Sequence, residues 1–513
     1  MYGRVLGVSV LGVGGHLVTV EAHVGRGLPS LTLTGLPGAA VRDATDRIRP
    51  AVDGAGLEWP LRRVVVNLAP GNLRKEGPGL DLPVAMGVLA ATAQVPSTFL
   101  ARYAFAGEVS LKGELMPTPG MLSVAIEAAR KGLEGVVVPA PNAREAAQVE
   151  GLQVVGAASL TEVVGFLRGT WTPDEPPAPA HDDAAAGTSV DLADVRGQQQ
   201  ARRALEVAAA GGHNVLLVGS PGAGKTMLAR RMTTILPRLT REEALEATQL
   251  HSVAGLLAGG DGVLRARPFR APHHSVSQVG LLGGGATYLR PGEVSLAHHG
   301  VLFLDEFTEF RRDAVEGLRQ PLEDGRVVVT RAIGSVEFPA RFTLVAAANP
   351  CPCGFEGDPR RQCRCRPDRA EVYRQKLSGP LLDRIDLRLR VPRLTKTELM
   401  GEQTGEPSDV VRDRVQRARD VQRARWSALG VACNAHLPGP VARRQVHMEP
   451  AAEEFLGGAV ESMGLTGRGF DRALKVARTI ADLEDSQRVT ARHMAEALSY
   501  RDGFGKKGLS RAG

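Results

Sequence analysis

Aromatic residues are scarce. Phe, Tyr and Trp make up 4% of the 513 residues, which argues against base stacking as the main means of holding a nucleic-acid strand. Long apolar runs are also missing. Leu82 to Ala101 carries no charge, but Pro83, Gln94, Pro96, Ser97 and Thr98 make it a poor membrane span. A buried helix followed by a loop fits better. Val5 to Gly15 follows Arg4, yet its glycines and alternating valines predict a strand and turn rather than a signal peptide. The chain therefore reads as cytoplasmic. Neither sign of charge dominates: 63 Lys and Arg against 56 Asp and Glu leave +7, so any nucleic-acid contact is expected to be local. Cysteines number five, and four of them (Cys351, Cys353, Cys363, Cys365) fall within fifteen residues. In a reducing compartment that clustering points to metal rather than to disulfides.

What is present is ordinary for a globular chain: 43% hydrophobic and 23% charged residues exclude wholesale disorder, and the length suits two or three domains. One boundary is clear. Thr172 to Ser189 holds four prolines and four acids with no Lys or Arg, and reads as a linker. The expected division is a first domain over 1–170, the linker over 171–190, an α/β core over 191–392, and a helical part with a basic tail over 393–513. The first domain alternates β-like runs such as Val64–Val66 and Val136–Val138 with Ala-rich helical stretches. From Asp191 strands and helices alternate as in a parallel α/β sheet. The tail contains Lys506 and Lys507.

Gly219-Ser220-Pro221-Gly222-Ala223-Gly224-Lys225-Thr226 matches the P-loop pattern in full, between an expected strand Val215–Val218 and a helix from Met227. Its glycines let backbone N–H groups face phosphates, Lys225 reaches the terminal phosphates, and the Thr226 hydroxyl suits Mg²⁺. Val301–Leu304 reads as a buried strand ending in Asp305 and Glu306. Asp305 would hold Mg²⁺ through water and Glu306 would polarise the attacking water. A third strand, Phe342 to Ala348, ends in Asn349, which could orient that water or serve as a turn residue before Pro350.

Together these motifs resemble the AAA+ ATPase set. Gly379 to Leu387, with Leu382-Asp383-Arg384-Ile385-Asp386 at its centre, resembles the arginine-finger segment of the branch holding MCM helicases and magnesium-chelatase motors. The resemblance implies that Arg384 reaches the ATP of a neighbouring subunit; a surface ion pair with Asp383 or Asp386 is the alternative. Thr466-Gly467-Arg468, opening a helix, resembles the sensor-2 position and implies a role for Arg468, with Arg472 as its rival. Two insertions of that branch also have counterparts. Pro268 to His274 with Gly283–Gly285 fits a flexible helix-2 insert facing the ring pore. Arg326 to Arg341 reads as strand, tip (Arg331 to Ser335) and strand, similar to the presensor-1 hairpin, which implies DNA contact at Arg331; a solvated hairpin charge is the alternative. His273 and His274 show no acidic partner at metal spacing and read as structural.

The Cys351-Pro352-Cys353 and Cys363-Arg364-Cys365 pairs offer four thiolates, enough for a closed tetrahedral zinc site stapling a loop beside the ATP site. Arg360, Arg361, Arg364, Arg366 and Arg369 around it could offset its negative charge or face phosphates. Cys433 reads as an unliganded thiol.

Lys75 to Asp81 and Gly113 to Asn142 resemble the active-site stretches of the Lon protease fold. The positions of its nucleophile and base hold Gly79 and Leu122, so peptide hydrolysis by that mechanism is not expected. The order of these parts, with a lid segment Lys475 to Leu483, is similar to the ComM/YifB family of magnesium-chelatase-like ATPases. That resemblance implies an α/β chain with three parts: a Lon-protease-like (S5-type) α+β domain, a P-loop AAA+ αβα core with a parallel sheet, and a small helical lid. It also implies ATP and Mg²⁺ as cofactors, a homohexamer, and branch-migration helicase activity on single-stranded or branched DNA during recombination of transforming DNA. A chelatase-type motor remodelling a protein substrate is the second reading, and an ATP-dependent protease the third, disfavoured by Gly79 and Leu122.

Overall fold

The computed structural model describes residues 1–174, 190–257, 262–285, 289–331, 334–376, 379–400 and 405–501. Most of the linker, positions 332–333 of the expected hairpin tip, and the tail with Lys506 and Lys507 lie outside them.

The amino-terminal part is built on a seven-stranded mixed sheet. Its order is Ser30–Thr34, Arg63–Ala69, Gly14–Gly25, Tyr2–Leu11, Tyr103–Phe105, Gly135–Pro139, Gln153–Ala157. Tyr2–Leu11 pairs antiparallel with Gly14–Gly25 and parallel with Tyr103–Phe105. In Arg63–Ala69 every second residue (Val64, Val66, Leu68) is buried, the period-2 pattern of a strand with one covered face. The uncharged stretch from Leu82 forms the helix Asp81–Ala91, buried on nearly every side, and it ends well before Ala101.

The second part is a five-stranded parallel sheet in the order Phe269–Arg270, Val301–Leu304, Thr343–Ala348, Val215–Val218, Leu387–Arg390. Val215–Val218 and Val301–Leu304 are buried along their whole length, as strands covered on both faces must be. One face shares a continuous apolar cluster with the carboxy-terminal helices, where Leu205 and Leu217 meet Leu474, Ala477 and Ile480. The other face packs Leu302, Leu344 and Ala346 against Phe338 and Val336 of a hairpin.

That hairpin pairs Arg326–Arg331 with Gly334–Pro339, in register Arg331↔Gly334. Its strands therefore run further than the expected tip of Arg331 to Ser335 allowed. Two further expectations are corrected. Phe269–Arg270 is an edge strand of the central sheet rather than a stretch of flexible loop. Gly283 and Gly284 are buried and paired with Arg290 and Pro291, so this glycine run is held rather than loose.

Candidate functional site: a phosphate-binding edge

The parallel sheet sets the site. Gly219, Asp305 and Asn349 each follow directly on the last residue of a neighbouring strand, Val218, Leu304 and Ala348. Since Val218 is register partner to Ala348, the three polar groups emerge at one edge. This is where parallel α/β sheets bind ligands.

Gly222 and Gly224 have φ of 79° and 92°, a region that L side chains resist, so the loop needs glycine there. Gly224 caps the helix Lys225–Ile235. The Lys225 ammonium donates to the Gly219 carbonyl at 2.6 Å, the Ser220 carbonyl at 3.2 Å and Asn349 Oδ1 at 3.1 Å. Burial lowers its pKa, opposed by the charges of Asp305 and Glu306. Lys225 and Asn349, 124 positions apart, thus touch directly. The Thr226 hydroxyl donates to Asp305 Oδ2 at 2.7 Å, placing two hard oxygens where Mg²⁺ takes its ligands. The Glu306 N–H donates to Asp305 Oδ1 at 2.9 Å, and Glu306 itself adopts φ 49° with its side chain largely exposed.

Glu306 has a partner that local sequence spacing does not show. His274 Nδ1 lies 3.2 Å from Glu306 Oε2, correcting the reading of His274 as a structural residue without an acidic partner. The cause is strand pairing: Arg270 and Leu302 are register partners, and four residues beyond them stand His274 and Glu306. His273 stacks on His274 with ring centroids 4.0 Å apart and accepts from or donates to Ser275.

Arg384 precedes the strand Leu387–Arg390 at the opposite end of the sheet from the P-loop, because Leu387 pairs with Val215. A four-residue strand, about 13 Å, separates it from its own phosphate loop. Its guanidinium donates to the Pro380 carbonyl at 2.8 Å and pairs with Glu323, not with Asp383 or Asp386 as the ion-pair alternative supposed. Arg468 lies in the first turn of the helix Gly467–Leu483, is 57% exposed, and stands 3.6 Å from the same Glu323. Its rival Arg472 is pinned to the buried Asp386. Burial would raise the Asp386 carboxyl, but the Arg472 charge, the His213 ring 3.6 Å away and the Asn214 N–H hold it well below the usual carboxylate range. Arg472 thus clamps a lid helix to the sheet, while Arg468 stays open to solvent.

The four cysteine sulfurs converge. Cys351 and Cys353 are 3.4 Å apart, and Cys363 is 3.6 Å from each of them. Cys365 accepts from the Cys353 N–H at 3.4 Å, and all four sulfurs lie within 4.8 Å of one another. Thiolates at about 2.3 Å from a tetrahedral zinc stand about 3.8 Å apart, so the donor set fits. Cys433 is outside this group, buried with its sulfur 3.3 Å from His436 Nδ1.

A second cluster escaped sequence reasoning: Glu246, His298 and His299. Both Nε2 atoms lie on Glu246 Oε2, at 3.1 and 2.8 Å. His298 Nδ1 accepts the Arg341 N–H at 2.9 Å, which fixes the neutral tautomer with its proton on Nε2, donated to Glu246. That nitrogen is committed to a hydrogen bond, so the group is an anchor with a buried His298 and an exposed Glu246, not a metal cradle.

The amino-terminal sheet docks on this core. The turn at Gly12 meets the hairpin residue Val336, Gln249 donates to the Val13 carbonyl at 2.6 Å, and the Gly120 N–H donates to the Ser252 carbonyl at 3.1 Å. A cavity of about 480 Å³ lies at the junction, bounded by Glu76, Pro78 and Gly79 on one side and by Gly334–Val336 on the other. Gly79 carries no nucleophile, and Leu122 is wholly buried. The neighbouring Asp81 is rotated into a paired contact with Arg47 at 2.9 Å. Burial raises its carboxyl to about 7 against the pull of that arginine. Among the described residues no helix is long and apolar enough to cross a membrane.

Comparison with known proteins agrees with this architecture from end to end. Residues 191–399 match the family described as magnesium chelatase, subunit ChlI. Residues 20–142 match subunit ChlI of Mg-chelatase, and residues 405–501 match the ChlI C-terminal family. The chain is 42% identical over 502 residues to the uncharacterized protein YifB of Escherichia coli (strain K12), spanning 96% of each chain. It is 42% identical over 495 residues to the competence protein ComM of Haemophilus influenzae, again 96% of each. A partial likeness, 26% over 198 residues, covers 36% of this chain and 24% of the Lon protease of Geobacter metallireducens. With a P-loop, a strand-borne Asp-Glu pair and this near full-length identity, the chain belongs to the ComM/YifB family of magnesium-chelatase-like AAA+ ATPases.

Proposed function

We propose that this protein is a ring-forming, ATP-driven DNA motor that migrates branched junctions during recombination of incoming DNA. The observation that carries the reading is the coupling of two parts on one sheet. The phosphate-binding edge and the hairpin Arg326–Pro339 pack on the same strands, so nucleotide state and hairpin position share one rigid support. The near full-length likeness to a competence protein supports DNA as the substrate.

In this reading Gly219 to Thr226 cradle ATP, with Thr226 and Asp305 holding Mg²⁺, which neutralises charge on the phosphates when bound. Glu306 takes the proton of the attacking water, and Asn349, fixed by Lys225, orients that water. Arg384 acts as a finger on a neighbouring subunit, since its own P-loop lies at the far end of the strand. Arg468 is the exposed cation at the lid edge that completes the site. Arg331, last residue of its strand, contacts the DNA backbone. Cys351, Cys353, Cys363 and Cys365 hold a structural zinc. The division at about 170, 190 and 392, a hexameric ring and a cytoplasmic location complete the proposal.

The test is ATP hydrolysis with and without forked or single-stranded DNA, followed by a junction-migration assay. Stimulation by DNA and ATP-dependent movement of the junction are expected. A robust rate indifferent to DNA would overturn it in favour of a protein-remodelling motor, the reading that the chelatase-subunit matches along the whole chain support.

A further inference from the structure

The four-cysteine loop does more than lie near the phosphate-binding loop; it is built against it. Gly354, between the two cysteine pairs, sits so close to Pro221 that an added Cβ would stand 2.6 Å from its ring. Its φ of 80° is also one that other residues resist. Four residues on, the Asp358 side chain is fully enclosed beside the P-loop. The same carboxylate accepts the Arg360 and Arg361 N–H groups at 2.9 and 3.0 Å. Arg393 closes the arrangement from the other side: it pairs with Asp358 at 2.8 Å and donates to the Pro221 carbonyl at 3.0 Å. Pro221 belongs to the P-loop, so that loop is held from two sides, by Gly354 and by Arg393.

The strut has little regular structure of its own. Between Cys351 and the helix that begins at Pro367 there is no strand or helix, only turns such as Gly354 N–H to the Cys351 carbonyl at 2.9 Å. Each residue held in one conformation costs on the order of 1–2 kcal/mol of chain entropy. Joining the two ends of such a loop through a tetrahedral thiolate centre removes much of that freedom.

We propose that metal at Cys351, Cys353, Cys363 and Cys365 braces Gly354, and through Asp358 the Arg393 guanidinium, against Pro221, so that its occupancy sets the affinity for nucleotide. The ligand class is a thiophilic divalent cation, and Asp358 and Arg393 are positioning residues that act through the P-loop. The inference rests on the metal reading of the cysteines given above. Loss of the metal lets the strut swing away, and the backbone N–H groups of the P-loop lose their common aim at the phosphates. Asp305 and Glu306 hang from a different strand and keep their places, so the expected loss is in binding first.

The experiment uses the full chain. Its zinc content is measured, zinc is stripped with a chelator and then restored, and binding of a fluorescent ATP analogue is titrated in each state. Asp358→Asn is titrated alongside with its zinc in place. The metal-free chain is expected to bind the analogue at least about tenfold more weakly, recovering with zinc. Asp358→Asn should keep its zinc yet lose about tenfold in affinity, the worth of one hydrogen bond to a charged group, with kcat at saturating ATP nearly unchanged. Equal affinity in the stripped and loaded chains overturns the control by metal, and unchanged affinity in Asp358→Asn overturns the strut. A chain that neither carries nor takes up zinc overturns the metal reading itself, while Asp358→Asn still decides whether the loop positions Pro221.

Discussion

His274 and Glu306 face one another at 3.2 Å across neighbouring parallel strands. If Glu306 is the base of the proposed mechanism, it must leave this imidazole to take a proton from water. His274→Ala should therefore raise the ATPase rate measured without DNA by about two- to fivefold, the scale of a partly exposed pair. The ratio of DNA-stimulated to basal rate should shrink correspondingly. A fall in the basal rate would show that His274 instead orients Glu306 productively.

Lys225 and Glu306 should separate binding from turnover. Lys225 carries the only ammonium on the Gly219 and Ser220 carbonyls among the described residues, so Lys225→Ala should abolish detectable nucleotide binding. Glu306→Gln keeps the fold and the phosphate contacts, and should bind ATP while hydrolysing it at least about 10²-fold more slowly. Equilibrium binding and single-turnover hydrolysis on the same preparations distinguish the two. Normal turnover in Glu306→Gln would move the base elsewhere.

Much of this site was legible because its signals are local. The P-loop needs glycines at fixed offsets, and the strands beneath Asp305 and Asn349 are short apolar runs ending in one polar residue. What stayed hidden depends on pairing across the chain. His274 meets Glu306 only because Arg270 pairs with Leu302, and a two-residue strand such as Phe269–Arg270 leaves no periodic trace. Glu323, which faces both Arg384 and Arg468, is distant from both in sequence. The anchor of Glu246, His298 and His299 likewise joins a helix to the start of a remote strand. The glycines at 283 and 284 misled, because they serve a close strand pairing with Arg290 and Pro291 rather than freedom.

Arg384 offers a test of ring architecture. Arg384→Ala should lower ATP turnover by about 10³-fold if the guanidinium completes a neighbour's site. Mixing it with Lys225→Ala subunits should restore part of the activity, since some interfaces then pair an intact P-loop with an intact arginine. No recovery at any mixing ratio would leave Arg384 as a partner of Glu323 alone.

His298 gives a pH dependence with a defined sign. Burial depresses its pKa to about 4, the contact with Glu246 resisting, so the folded protein keeps it neutral where the unfolded chain would protonate it. Stability from this group is complete above the unfolded value of about 6.5 and is lost as pH falls from there towards 4, by about 3 kcal/mol. Glu246, held below the usual carboxylate range by hydrogen bonds from His298 and His299, adds a loss of the same sign at lower pH. Urea unfolding of the full chain at pH 7.5 and 5 should show this fall, and His298→Gln should flatten it. A slope unchanged by that substitution would remove His298 as its source.

Gly12 should link the Lon-like part to the motor. It lies in the turn between Tyr2–Leu11 and Gly14–Gly25 with φ 63°, and an added Cβ would stand 2.3 Å from a Val336 methyl carbon on the hairpin. Gly12→Val therefore meets both a strained backbone and a steric block, and the amino-terminal sheet must draw back from the hairpin. The P-loop, on a different edge, is untouched. The expected result is a basal ATPase rate within about twofold of the parent and a marked loss of DNA stimulation. Gly14→Ala is the control, because a Cβ there meets nothing nearer than 3.6 Å and the backbone is unstrained. If Gly12→Val keeps full stimulation, the contact between Gly12 and Val336 is packing alone. If both variants lose it equally, the effect lies in the turn and not in its contact with the hairpin.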